Sequence, residues 1–145
     1  MDIRRVEPRD VVAILGIQAV SPEIAQWTME DYERVARGEM AGWVADQAGQ
    51  VLGLLIARQI ATDIEILNLA VRPDARRRGV GAALLAEALD WSRTFRAEKA
   101  FLEVRASNLA ALQFYLRHHF KATGRRARYY TAPPDDALVL ALPLT

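Results

Sequence analysis

The sequence predicts a mixed α/β fold, one twisted sheet of about seven strands layered with about four helices. Three observations lead there. A chain of 145 residues is one core's worth, since single domains span roughly 100 to 200 residues, so residues 1–145 are expected to form one domain. At 52% hydrophobic and 26% charged the chain can bury a sizeable core, which excludes intrinsic disorder. The apolar period also switches between strand-like and helix-like in the order β-α-α-β-β-β-α-β-α-β-β, with no internal repeat or low-complexity tract.

Taken in order, Ile3 to Val6 reads as a short first strand. Pro8-Arg9-Asp10 opens a helix carrying Val11, Val12, Ile14 and Leu15, because a first-turn proline lacks only an N–H that would have no partner. A second helix runs from about Met29 to Arg37, with Thr28 as N-cap, Asp31 as an imperfect capping-box partner and Gly38 as its end. Trp43-Val44-Ala45 and Val51 to Ile60 are β-rich and separated by the hairpin turn Asp46 to Gln50. Ile64, Ile66, Asn68 and Ala70 then alternate with Glu65, Leu67, Leu69 and Val71, so this strand, apolar on both faces in its second half, belongs mid-sheet. Pro73 ends it. Gly79 to about Arg93 is a helix with Leu84, Leu85, Ala88 and Leu89 on one face. A strand at Ala100 to Val104 and a helix from Ala106 to about Leu116, capped near Ser107 or Asn108, follow. The last strands, near Phe120 to Arg126 and Ala137 to Leu142, flank the turn-like Pro133-Pro134-Asp135-Asp136.

Charge and composition remove several functions. With 19 basic against 18 acidic side chains the net charge is +1, which provides no overall field for nucleic acid or anionic lipid; neither is expected as a partner. Cysteine is absent, and with it disulfides, thiolate metal sites and any cysteine nucleophile. The two histidines, His118 and His119, are adjacent, and on a helix adjacent side chains diverge by about 100°, so no metal site is expected. No segment reaches the roughly 18 to 20 apolar residues of a membrane span, and the start Met1-Asp2-Ile3-Arg4-Arg5 lacks a signal peptide's apolar stretch. A cytoplasmic protein is expected.

The most informative stretch is Val71-Arg72-Pro73-Asp74-Ala75-Arg76-Arg77-Arg78-Gly79-Val80-Gly81-Ala82, between the central strand and a strong helix. Small residues at Gly79, Gly81 and Ala82 let a ligand approach the backbone. The helix N-terminus offers unpaired N–H groups and the positive end of its dipole, so an anion such as a diphosphate fits, and three arginines add attraction for it. On the residues alone, glycines that let the helix pack on its strand and a solvated arginine face explain the stretch equally well. The spacing excludes a P-loop, which needs Gly-x-x-x-x-Gly-Lys-Ser/Thr, and a Gly-x-Gly-x-x-Gly dinucleotide fingerprint.

Arg76-x-x-Gly79-x-Gly81 after Asn68-Leu69-Ala70-Val71 resembles the acetyl-coenzyme A pyrophosphate motif of the GNAT N-acetyltransferase superfamily. Leu102-Glu103-Val104-Arg105-Ala106-Ser107-Asn108, with Ala110-Ala111 and Phe114-Tyr115, is similar to the RimI type, the ribosomal-protein-alanine N-α-acetyltransferases. Trp27-Thr28, Tyr129-Tyr130 and Ala141-Leu142-Pro143-Leu144 resemble that group as well. The resemblance spans essentially the whole chain and is most specific over residues 68 to 120.

The resemblance implies a GNAT (acyl-CoA N-acyltransferase) fold whose central strands, those ending at Val71 and Val104, splay apart to admit the pantetheine arm of acetyl-CoA. The backbone of Leu69, Ala70 and Val71 would bond the arm and polarise the thioester carbonyl, Arg76, Arg77, Arg78, Gly79, Val80, Gly81 and Ala82 would hold the pyrophosphate, and Asn108 would touch the arm. Glu103 is implied as general base for the incoming ammonium, through a water, and Tyr115 as the acid that protonates the departing thiolate. A phenol with pKa near 10 stays protonated at neutral pH and can donate. Trp27, Tyr129 and Tyr130 would line an acceptor slot, or else close the core over the sheet. The acceptor is a protein N-terminus, a lysine or a small amine; an acetyl-CoA sensor without turnover is the alternative of another class. Monomer and weak dimer are both compatible with the chain. Three positions depart from relatives: His118-His119-Phe120 replaces a Leu-Gly-Phe-like turn, so the helix is expected to end without its left-handed glycine, and Gln26 and Thr131 stand where proline is usual. Arg125, Arg126 and Arg128 form a second basic cluster, read as a solvated strand or as an attraction for an acidic substrate face or the ribosome.

Overall fold

The computed structural model describes residues 1–144. The elements are β1 (Asp2–Arg5), a 3-10 turn (Pro8–Asp10), α1 (Val11–Ala19), α2 (Met29–Ala36), β2 (Ala41–Gln47), β3 (Gln50–Ile60), β4 (Asp63–Val71), a second 3-10 turn (Pro73–Ala75), α3 (Val80–Arg93), β5 (Lys99–Arg105), α4 (Leu109–Arg117), β6 (Lys121–Thr131) and β7 (Pro134–Pro143). This is the expected order. The strands form one sheet, β1-β2-β3-β4-β5-β7-β6, antiparallel except for the parallel pair β4 and β5. Among the described residues no helix is long and apolar enough to cross a membrane.

Both faces of the sheet are covered, by different helices. On one, Leu84, Leu85 and Ala88 of α3 and Tyr115 of α4 cluster with Leu55, Ile64, Ile66, Leu102, Val104 and Leu140. On the other, Ile14, Ile17, Tyr32 and Val35 of α1 and α2 meet Val44, Leu54, Ile56 and Ala70. The strand β4 serves both layers, but not by simple alternation. Ile66 pairs with Ala57 and Asn68 with Ile56, so Leu67 is an extra residue, a β-bulge. The bulge reverses the facing. Ile64 and Ile66 belong to the α3 layer, whereas Ala70, two pleats later, belongs to the α1/α2 layer. The four residues that alternate so regularly in sequence therefore do not share a face.

Local chemistry shifts several boundaries. Pro8–Asp10 form their own 3-10 turn rather than the first turn of α1, because Asp10 turns back to accept the Glu7 N–H at 2.8 Å. Asp31 completes the capping box: its carboxylate accepts the Thr28 N–H at 2.9 Å while Thr28 accepts the Asp31 N–H at 3.1 Å. The helix α4 begins at Leu109, not Ala106, since Asn108 Oδ1 caps the Ala111 N–H at 3.2 Å and Ser107 is drawn away to Asp135. Strand β6 runs on to Thr131 and β7 starts at Pro134, with Thr131 opposite Pro134 and Tyr130 opposite Asp135, so the expected turn shrinks to Ala132-Pro133.

The end of α4 corrects another expectation. His119 itself takes the left-handed conformation, φ 72°. Phe120 N–H donates to Tyr115 C=O at 3.0 Å and His119 N–H to Leu116 C=O at 3.1 Å, the paired bonds of a Schellman ending. The hydrophobic contact that accompanies this ending is Phe120 against Tyr115, ring centroids 5.2 Å apart. A histidine in place of glycine thus keeps the turn that orients the Tyr115 ring.

Candidate active site

Strands β4 and β5 pair only where Asp63, Ile64 and Glu65 meet Lys99, Ala100 and Phe101. Beyond that, β4 pairs with β3 alone, and Leu102 to Arg105 pair with β7 alone. The inner edges of two central strands thus lie open, their backbone polar groups unspent on each other. Between them opens a cleft of about 400 Å³, bounded by Leu67, Asn68 and Leu69 on one lip and Leu102, Glu103, Val104 and Arg105 on the other. Asn108, Ala111 and Tyr115 close it on one side, and Pro22 to Gln26 with Tyr130 and Ala132 on the other.

At the C-terminal end of β4 the chain turns into α3. Gly79 (φ 80°) and Arg77 (φ 63°) are both left-handed, which reverses the backbone onto the helix N-terminus. The first α3 backbone bond closes at Ala83, whose N–H reaches Gly79 C=O at 3.0 Å, so the N–H groups of Val80, Gly81 and Ala82 have no partner inside the helix. A Cβ on Gly81 would lie 3.1 Å from the Phe114 ring, which explains the glycine there: α3 and α4 approach closely at this point. The arginines behave differently from a free cationic cluster. Arg76 Nε donates to Val71 C=O at 3.2 Å and Arg78 Nη2 to Asp74 C=O, so two of the three brace the turn from behind. Arg76 also lies 3.8 Å from Glu23, tying the turn to the segment before α2.

Tyr115 and Glu103 approach the cleft from opposite layers. Leu102 and Val104 point into the α3/α4 layer with Tyr115, so Glu103 between them faces the other side of the sheet. Tyr115 is 5% exposed, and burial pushes its phenol pKa well above the usual value, so it is held as a neutral donor. One Glu103 carboxylate oxygen, Oε2, is buried without a hydrogen-bond partner, while Oε1 lies 3.7 Å from Arg126 Nη1. A buried, unpartnered carboxylate oxygen lacks about one hydrogen bond's worth of satisfaction until a donor enters the cleft.

Tyr130 lines the cleft beneath the Arg105 guanidinium, 4.3 Å from the ring centroid, and burial with the nearby Glu103 charge raises its phenol pKa. Tyr129 is 49% exposed and lies under Arg126 at 5.2 Å, outside the cleft lining. Trp27 is not at the cleft either. It stacks on Tyr32 at 5.5 Å and packs into the α1/α2 core, and the residues just before it, Pro22 to Gln26, form that wall.

What holds that wall was missed in the sequence. Tyr32 OH donates to Gln18 Oε1 at 2.6 Å, and Asn68 Nδ2 donates to Tyr32 OH and to Ala25 C=O, both at 3.2 Å. Gln18 also accepts the Trp27 N–H at 2.9 Å and donates to Trp27 C=O at 2.8 Å. The signal was present: an asparagine inside an apolar central strand and a glutamine inside the apolar α1 each demand buried partners.

The open inner strand edges, the bare N–H groups at the α3 N-terminus and the close approach at Gly81 together fit an extended amide-bearing arm ending in an anion. Over residues 10–120 the chain matches the model of the acetyltransferase (GNAT) family, and it belongs to that family. It is similar to the ribosomal protein bS18-alanine N-acetyltransferase of Escherichia coli strain K12, 35% identical over 101 residues that make up 68% of each chain. An N-alpha-acetyltransferase of Sulfurisphaera tokodaii is 32% identical over 125 residues, 77% of this chain and 74% of the relative. The crystal structure of the Escherichia coli ribosomal-protein-S18-alanine N-acetyltransferase superimposes with a TM-score of 0.84 at 28% identity, covering 99% of this chain and 94% of that one.

Proposed function

We propose that this protein is an Nα-acetyltransferase, moving an acetyl group from acetyl-CoA to the α-amino group of a protein such as a ribosomal protein. The observation that carries the reading is the buried, unpartnered Glu103 Oε2 on one side of the cleft, with the buried neutral phenol of Tyr115 on the other. The relatives named for N-terminal acetylation point the same way.

Acetyl-CoA supplies the activated acyl group and the thiol that leaves, in a chain that has no cysteine of its own to carry the acyl group. The chain's residues do the rest. Backbone groups of Leu69, Ala70 and Val71 bond the arm as an added strand would, and one of their N–H groups donates to the acyl oxygen as charge builds on it. The N–H groups of Val80, Gly81 and Ala82, with Arg77, Arg78 and Gly79 at the turn and Arg76 bracing it, hold the pyrophosphate. Asn108, with Oδ1 spent on its cap, keeps Nδ2 for the arm. Glu103 takes the ammonium proton through a water, and Tyr115 gives its proton to the sulfur. The two faces separate the roles: amine and base on one side, thiol and acid on the other. An α-amine, pKa near 7.7 to 8.0, costs about 3.4 kcal/mol less to deprotonate than a lysine near 10.4, which suits a lone carboxylate base.

Mass spectrometry after incubation with acetyl-CoA and peptide pairs tests the reading. Peptides with a free N-terminus should gain one acetyl group at that amine, and N-blocked, lysine-containing counterparts should gain none. Equal modification of the blocked peptides would overturn it.

A further inference from the structure

We infer, resting on the acceptor reading above, that Asn68 orients the acceptor amine: its Oδ1 accepts the one N–H that the nitrogen keeps from ammonium to amide, so the site prefers primary to secondary amines. Register brings Asn68 to the base. Strands β4 and β5 pair at Ile64 with Ala100 and Glu65 with Phe101, so Ile66 falls level with Leu102. Leu67 would come level with Glu103, but the bulge takes it out of the count, since Ile66 and Asn68 pair with the consecutive residues Ala57 and Ile56 of β3. Asn68 therefore stands in the row of Glu103, across the gap. The facing agrees. Ile66 and Leu102 both lie in the α3/α4 layer, so the next row, Asn68 and Glu103, turns to the α1/α2 layer, where Asn68 meets Tyr32. Both residues line the cleft, one on each lip.

The Asn68 amide can point only one way. Ala25 C=O can only accept, so the Asn68 atom 3.2 Å from it is Nδ2, and the other Nδ2 proton goes to Tyr32 OH, also at 3.2 Å. Oδ1 is left without a partner among the described residues. It is not sealed in either, since Glu103 Oε2 is the only fully buried side-chain polar atom there that lacks one. An ammonium between the strands thus meets two acceptors, a carboxylate on β5 and an amide oxygen on β4. Glu103 can take a proton; Asn68 can only hold one in place. A primary ammonium carries three N–H groups and its acetylated product keeps one. Held by Oδ1 throughout, that N–H fixes how the nitrogen lone pair is aimed at the thioester carbon. A secondary amine ends as a tertiary amide with no N–H, so its extra substituent displaces the bond and leaves Oδ1 unpaired.

The test compares kcat/KM for two peptides, one beginning with alanine and one with N-methylalanine, in the native enzyme, Asn68→Ala and Tyr32→Phe. The native enzyme should favour the alanine peptide by about 30-fold, and Asn68→Ala should shrink that preference by about tenfold, the worth of one hydrogen bond. The variant should fold, because Tyr32 OH still donates to Gln18 and the exposed Ala25 can turn its carbonyl to water. Loosening the Pro22 to Gln26 wall slows both peptides alike, so their ratio reads Oδ1 alone. Tyr32→Phe removes one partner of Nδ2 and leaves Oδ1 in place; its ratio should stay within about twofold of the native one. Equal rates on the two peptides in the native enzyme, a ratio unchanged in Asn68→Ala, or one lost equally in Tyr32→Phe overturns the inference while leaving N-terminal acetylation intact. If the alanine peptide is not acetylated at its N-terminus, the acceptor reading falls and this inference with it.

Discussion

Replacing Tyr115 by phenylalanine removes one oxygen and disturbs little else. The ring is packed against Phe114 and Phe120 with centroids 5.2 Å from each, contacts that phenylalanine keeps. The hydroxyl makes no hydrogen bond among the described residues, and burial is the one influence on its pKa. No partner is orphaned, so the usual loss of about 1 kcal/mol for a broken hydrogen bond does not arise, and the unfolding midpoint should move by less than about 2 °C. Catalysis should respond very differently. A positioned general acid contributes about 10²–10⁴-fold, so kcat should fall by about 100-fold or more while acetyl-CoA binding, followed by calorimetry, changes by less than about twofold. There is an alkaline signature too. The native phenol is raised above its unfolded value near 10, so this group's stabilising effect is complete below pH 10 and is lost at about 1.4 kcal/mol per pH unit above it. The variant should lack that decline; Tyr32, pushed up to about 12 mainly by burial, retains its own. An acetyl-CoA affinity that falls in step with kcat would make the hydroxyl a binding group, and an undiminished kcat would refute its role as acid.

Glu103→Gln should lower kcat/KM for the acceptor by about 10²-fold or more at pH 7 and spare acetyl-CoA binding; its rate should recover as pH rises past about 8, where an α-amine loses its proton unaided, as a pH–rate profile would show. In urea denaturation Tyr32→Phe should cost about 1 kcal/mol, because Gln18 keeps Trp27 and Asn68 keeps Ala25, whereas Gln18→Leu strands three polar groups and should cost about 3 kcal/mol while raising the acceptor KM. His119→Gly should stabilise the fold by about 0.5 kcal/mol in the same measurement, relieving a left-handed side chain at φ 72°. Arg4→Met strands Asp10, which is 3% exposed and bonded to Arg4 at 2.8 and 2.9 Å, and should cost about 3 kcal/mol at pH 7. Burial alone would raise the Asp10 carboxyl, but the Arg4 and Glu7 bonds outweigh it and hold it below the usual value. The pair therefore stabilises above the unfolded pKa near 3.9 and is lost as pH falls through the lower native one, so the gap between variant and parent should close in acid.

Much of the fold was legible because it is local. Thr28 with Asp31 caps α2 within four residues of chain, and Leu84, Leu85 and Ala88 define the buried face of α3 by spacing alone. The strand β4 shows where legibility stops. Its burial alternates as its sequence does, yet the bulge at Leu67 sends Ile66 and Asn68 to opposite layers, and nothing in Ile66-Leu67-Asn68 announces an unpaired residue. A bulge is a property of the pairing with β3, not of the strand. The orientation of the arginine triplet was likewise not legible, since carbonyl groups at Val71 and Asp74 hold two of its members only once the turn has closed.

By itself the sequence determined the element order, the glycine turn after β4 and the family motif, because each depends on residues close together along the chain. Tertiary structure alone decided how Glu103 and Tyr115 stand on opposite faces of one gap, how Gln18, Tyr32 and Asn68 hold the segment before Trp27, and how Arg126 comes to face Glu103. Those groups are brought together by strand order and by a sheet that stops pairing partway along β4, and distance in space between residues far apart in the chain is fixed only when the whole sheet has formed.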